Sequence, residues 1–429
     1  FTALNQFLMV DQTDTIETSG RNIEVNANTI LAGNIITDSV NAPGTIDLIA
    51  TDSLEVGAVR ATISNVSPAV VADGGNINLN AGGSITVNGS EATSGVSPDL
   101  LGISALSANG NAGSVTLRAI DDINIICPQA FCIETLAGGI SGIAARGNGA
   151  DVTVTSRDGG ITIGNPANNN VVAIDAKSTD GFDSGDILVT ASDDIAISGV
   201  VAAITGTGQG GDINITSEGS IQAGQVRTDG GIGGLARLAA RGDVQLESIL
   251  AEGIDLGGFV VVNSREGDIT VTGPIQTGSD NTDMTTVDFG RRTVPDPRLL
   301  GTVDIAGTAS IQLGDVDASG IIEDPSVREV NINSRGGDIT VGNIQAGSND
   351  TGGLNDSGGF VDVASGGGRV VVGNINTQGP DGAGRVNVNA GTGTAIVGTV
   401  QADSLQTGGQ VDIAAEGNVQ VGDINAQGT

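Results

Sequence analysis

Apolar residues fall on every second position in runs of three to five, and glycine ends most runs. The plainest copy is GGDITVGNIQA at 336–346. Ile339 and Val341 lie on one side of an extended backbone and Thr340 on the other, the alternation of a half-buried strand. Gly342 and Asn343 suit a tight or left-handed corner, after which Ile344 points in and Gln345 points out. The same order of strand, corner and strand returns as GNVQVGDINA at 417–426, ASIQLGDVDA at 309–318 and LEVGAVRA at 54–61.

The first apolar position of each such strand forms a series: Ile30, Leu54, Ile85, Ile123, Ile161, Ile195, Ile221, Val244, Ile269, Ile311, Ile339, Val370, Ala395 and Val419. These are 14 copies at intervals of 23 to 42 residues, so the minimal unit is 23 residues and the excess is loop. Repeats of this size mark a solenoid. A second series runs seven to nine residues ahead, from Ile23, Ile46 and Ile77 through Ala236, Val261, Val303 and Ile332 to Val411. Each unit therefore holds three short strands, such as Val411 to Ile413, Val419 to Val421 and Ile424 to Ala426. None is stable alone. Stacked, each gains parallel partners about 4.8 Å above and below, and the inward Ile and Val form columns. Apolar segments this short, cut by glycine, do not make amphipathic helices. The predicted fold is all-β: a right-handed parallel β-helix of about 14 rungs with three short strands per rung, a rod of roughly 65 Å.

This reading sets the organisation of the chain. Residues 1–22 are an irregular N-terminal segment or a partial rung, and 23–429 form one continuous β-helix. Loop excursions are expected at 90–107, 127–143, 165–184, 278–300 and 348–357. Outward pairs such as Asn78 and Asn80, Asn331 and Asn333, and Asn387 and Asn389 recur at matching places and suggest local amide ladders. The last residues complete a repeat without a capping helix. An open rung exposes strand edges, so either the parent protein continues or copies stack end to end, with continuation favoured.

Composition narrows the function. Glycine supplies 69 of 429 residues; Trp, Tyr and His are absent, and Lys177 is the only lysine. A hydrophobic share of 38%, regularly patterned, excludes a disordered chain. The net charge of −33 repels nucleic acid and anionic membrane surfaces. It serves solubility, or else weak binding of Ca²⁺ dispersed over outward Asp and Glu. No apolar run is long enough to cross a membrane. Cys127 and Cys132, five residues apart with Pro128 between them, suit a disulfide and an oxidising compartment; the alternative is two reduced thiols in a loop.

Catalytic chemistry finds little support. A hydrolytic triad needs a base, most often histidine, and the chain has none. The pairs Asp121–Asp122 and Asp193–Asp194 sit where a turn enters the second strand, and adjacent acids on a strand point apart, so they read as turn residues. Gly147 to Asp151 resembles only a fragment of a calcium-binding nonapeptide. A sugar cleft wants aromatic platforms, and the only aromatics are seven phenylalanines. The expectation is a protein that is not an enzyme and has no cofactor. The excursion at 278–300 gathers Phe289, Arg291, Arg292 and Arg298; it is either a contact loop or a solvated insertion closed by its own Arg–Asp pairs.

The repeats GGDITVGNIQAG, GRVVVGNINTQG and GNVQVGDINAQG resemble the shafts of filamentous-haemagglutinin-like exoproteins, with the flavour of large cyanobacterial members. The resemblance covers about residues 20–429. It implies two-partner secretion and surface or released fibres that adhere to cells or build matrix. The secretion domain of such proteins carries Asn-Pro-Asn motifs, and Asn165-Pro166-Ala167-Asn168 is only a near miss in mid-chain. No functional residue carries over. The expected protein is a secreted or cell-surface adhesive rod that self-associates end to end or side by side. Its other partners would be a cell surface or an extracellular polysaccharide. The alternatives are a polysaccharide-binding or polysaccharide-cleaving β-helix and a passive stalk for another domain.

Overall fold

The computed structural model describes residues 1–3, 5–9, 14–63, 72–89, 102–107, 110–127, 131–135, 147–164, 172–178, 182–278, 301–320, 328–348 and 358–428. Every regular element among them is a β-strand, and every pairing between strands is parallel. The chain is a parallel β-helix with three short strands per rung. It divides into two compact units, Phe1–Arg227 and Thr228–Thr429.

In the first unit, the first sheet stacks seven strands in unbroken register, from Ile23–Ala27 and Ile46–Ala50 to Ile213–Ser217. The second sheet runs from Gln6–Leu8 and Thr29–Leu31 up to the start of Ile221–Arg227. The third runs from Thr15–Glu17 and Asn34–Ile36 to the end of Ile221–Arg227. Residues 1–22 thus contribute two strands of a partial rung. The second unit repeats the arrangement over seven rungs, from Leu235–Ala240 to Gln410–Ala414 in its first sheet. Loops of different length enter between the strands without shifting the register of the first sheet, because each strand is positioned by its neighbours above and below; in the third sheet the register slips by one residue between Val172 and Ile174.

The inward positions form dry columns. Val25, Leu48, Leu79, Leu117, Val154, Val189 and Ile215 succeed one another in the first unit, each at most 1% exposed. Leu238, Val262, Ile305, Ile332, Val363 and Val388 do so in the second, all fully buried. Burying one such side chain contributes about 1.5–3 kcal/mol, while ordering each backbone residue costs about 1–2 kcal/mol. A three-residue strand with one or two inward residues therefore holds only as part of the stack.

Two positions of the expected register are corrected. Val260, not Val261, is the inward residue that aligns with Ala236 and Val303; Val261 points out against Asp304. The run Phe259 to Val262 is apolar throughout, so its alternation has no phase of its own, and the neighbouring rungs choose it. Likewise Val330 precedes Ile332 as the first inward residue of its strand.

The corners are tied from rung to rung by side chains. Ahead of the second strand, Asp243 Oδ1 accepts the backbone N–H of Asp268 (2.9 Å), whose own Oδ1 accepts that of Ser310 (2.8 Å). Asp338 does the same for Arg369 (2.8 Å). At the next corner Asp315, Asn343 and Asn374 form a chain, each accepting the N–H one rung on, from Asn343 (2.7 Å), Asn374 (3.0 Å) and Thr399 (2.9 Å). Serines that end the first strand donate back: Ser264 to the carbonyl of Gly242, Ser334 to Ala309 and Ser365 to Gly337. The two Asx positions of the repeat are therefore the rung-to-rung ties, and each such bond is worth about 1 kcal/mol net.

Candidate functional site

The cysteines of the sequence analysis are joined: Cys127 and Cys132 form a buried disulfide with Cα atoms 5.3 Å apart. The acidic pairs are corner ties. Asp122 Oδ1 accepts the N–H of Gly160 (2.9 Å) and Asp194 Oδ1 that of Ser220 (2.7 Å), while the carbonyls of Asp121 and Asp193 accept from Ser156 and Ser217. The Gly147–Asp151 fragment has the same duty, with Asp151 Oδ1 accepting the N–H of Asp186 (3.0 Å). Phe289, Arg291, Arg292 and Arg298 lie outside the described residues, as does Asn165 to Asn168.

On the first sheet the outward amides Asn78, Asn80, Asn331, Asn333, Asn387 and Asn389 do not stack on one another. In the second unit the register sets Asp304, Asn331, Asp362, Asn387 and Asp412 in one outward column, so acids and amides alternate. Asn387 Nδ2 donates to Asp362 Oδ1 at 2.8 Å, and Asn78 donates to Asp47 at 2.6 Å in the first unit. A carboxylate is a stronger acceptor than a second amide, which favours the mixed ladder. Burial, with the charge of Glu329 added, raises the Asp304 carboxyl above its ordinary range.

Beside this ladder runs a shallow groove of about 370 Å³, lined by Gly358, Gly359, Phe360, Ala383, Gly384, Arg385, Gly408, Gly409 and Gln410. The Arg385 guanidinium lies 5.8 Å from the Phe360 ring centre and reaches Asp412 at 3.7 Å. The glycine floor is required by the stacking: a Cβ on Gly384 would fall on the carbonyl oxygen of Gly359, one rung earlier. Among the described residues no side chain lies over it, and the corner leaves an open strip edged by one aromatic ring, one guanidinium and one amide.

A second polar site lies on the outward face of the third sheet in the first unit. Register places Arg60, Ser104, Glu134, Asp175, Ala202 and Arg227 on six successive rungs. Although they face out from the sheet, Ser104, Glu134 and Asp175 are only 2%, 6% and 7% exposed. Arg60 is paired with Asp38. The Ser104 hydroxyl and Asp175 Oδ1 have no hydrogen-bond partner. Burial pushes the Asp175 carboxyl up to about 6, against the opposing pull of Lys177 and Arg227. The equivalent column of the second unit holds Gln276, Asp317, Gln345, Asn376, Gln401 and Asn425, all half-exposed or exposed. This column is hidden along the chain because Ser104, Glu134 and Asp175 stand 30 and 41 residues apart, spacings that match no single repeat length. The readable signal was their shared place after an inward isoleucine: Ile103, Ile133 and Ile174.

No family model, curated protein or solved structure matches the chain.

Proposed function

We propose that this chain is a structural, adhesive β-solenoid of an extracellular surface or matrix, and that copies of it self-associate. The observation that carries the reading is the rung-to-rung tie at successive corners, which devotes the repeated Asx and Ser residues to holding a stack. The resemblance of the repeats to filamentous-haemagglutinin-like shafts supports the same reading, and the disulfide suits an oxidising, extracellular setting. Electron microscopy of the purified chain over a range of protein concentrations tests self-association. The expected result is filaments or ordered assemblies. Dispersed wild-type particles at high protein concentration would remove self-association from the reading.

A second reading, binding of a polysaccharide, is favoured by the groove along Phe360, Arg385 and Gln410. An aromatic face and fixed polar groups are what a sugar ring needs, and the open glycine strip lets it approach the backbone. Affinity electrophoresis through gels containing neutral or acidic polysaccharides should retard the wild type and release Phe360→Ala. Equal mobility of the two proteins in every gel would end this reading.

A further inference from the structure

The outward face of the first sheet in the second unit carries a second period on top of the rung. The column next to the acid–amide ladder reads Ala239, Asn263, Ala306, Asn333, Ala364, Asn389 and Ala414, one residue per rung in unbroken register. Alanine and asparagine alternate without exception. From the third of these rungs the two columns change together: Asp304 goes with Ala306, Asn331 with Asn333, Asp362 with Ala364, Asn387 with Asn389 and Asp412 with Ala414. All ten are half-exposed or exposed. The face therefore repeats every two rungs, about 9.6 Å, although the stack itself repeats every rung. The matching column of the first unit reads Asn26, Ile49, Asn80, Arg118, Thr155, Thr190 and Thr216 and has no such alternation.

Each alanine row is a notch and each asparagine row a ridge. Such a surface fits a copy of itself, provided that the copy is out of phase by one rung. Turning the second copy end over end keeps every column facing itself and reverses the order of the rungs. Building on the reading that copies self-associate, we propose that two copies of this chain pair antiparallel through this face, with the two-fold axis between the rungs of Asn333 and Ala364. Asn333 then enters the notch at the partner's Ala364, and Ala306 receives the partner's Asn389; two-fold symmetry makes each contact twice. The same axis sets Asn331 against the partner's Asp362 and Asp304 against the partner's Asn387, so each carboxylate of these four rungs meets an amide. Asn387 gives one of its two amide hydrogens to Asp362 at 2.8 Å and keeps the other for the carboxylate opposite. In the remaining outward column Glu329 meets the partner's Phe360 and Thr302 the partner's Arg385, and no like charges oppose. A shift of one rung would set ridge on ridge and Asp304 on the partner's Asp362, a repulsion that fixes the phase.

Cross-linking of the full chain tests the face. In Ala306→Cys/Asn389→Cys the two new thiols lie three rungs apart within one chain, about 14 Å, beyond the roughly 7 Å that a disulfide spans. Between antiparallel copies they face each other. Mild oxidation and non-reducing electrophoresis should show a covalent dimer of the double variant and none of either single variant. Sedimentation equilibrium provides an independent reading. Ala306→Gln/Ala364→Gln fills two notches and should weaken the dimer at least tenfold, whereas Thr155→Gln/Thr190→Gln, on the equivalent column of the first unit, should leave it unchanged. Circular dichroism spectra of the variants establish that a lost dimer is not a lost fold. If wild type assembles but the double variant stays uncross-linked, or the single variants cross-link as well, self-association stands and this face is overturned. Wild type that sediments as a monomer at every concentration removes both. Loss of retardation in polysaccharide gels on filling the notches, with sedimentation unchanged, would assign the face to a glycan and also overturn the proposal.

Discussion

Placing aspartate at Ile332 should unfold the second unit around it. Ile332 is fully buried between Ile305 and Val363, themselves fully buried, so a carboxylate there has no partner and no water. The milder Ile332→Ala change should cost about 2–5 kcal/mol, and Ile332→Val about 0.5–1.5 kcal/mol. Urea titrations followed by circular dichroism give the order of the three variants. Amide hydrogen exchange gives the location. In a stack held by nearest neighbours, protection should fall first in Thr302–Gly307, Glu329–Ser334 and Phe360–Ser365 and recover further away. A loss of less than about 0.5 kcal/mol for the alanine variant would mean that the inward columns do not hold the unit together.

The second large effect is a gain. Asp175→Asn should stabilise the first unit at neutral pH and change little near pH 4. The Asp175 carboxyl titrates at about 6 in the folded protein against an ordinary 3.8, because burial outweighs Lys177 and Arg227. Its register partners are Glu134 on one side and Ala202 on the other. Between these two pH values the folded state holds more protons than the unfolded one, and stability falls as pH rises. Below about pH 4 the penalty is absent; above about pH 6 it is complete. Two pH units correspond to about 3 kcal/mol, which the neutral amide should recover. A wild-type-to-variant difference that stays constant from pH 4 to pH 8 would refute the assignment.

The strands were legible because period-two alternation and glycine punctuation act within a few residues, as at Ile339 to Val341. Phase was legible only where a polar residue interrupted the run; Phe259 to Val262 offers none, and its direction comes from the rungs on either side. The corner residues were recognised as turn formers, but what Asp243 or Asn343 bonds to lies one rung away and is invisible along the chain. The same holds for the candidate site. Nothing local distinguishes Glu134 or Asp175 from the other 48 acids, since only stacking brings them together and only the folded surroundings remove them from water. The alternation of Asp and Asn along the outward ladder was half seen: the amides stood out, and the acids between them did not.

The Asx and serine ties at these corners run one way. Asp243, Asp268, Asp315, Asn343 and Asn374 each accept from the rung that follows, and Ser264, Ser334 and Ser365 each donate to the rung that came before. A finished rung therefore presents fixed acceptors to the chain that comes next, while a rung in isolation has nothing to which its own corner amides can bond. A chain that folds from its amino end therefore offers each new turn side-chain acceptors already held by the turn before it.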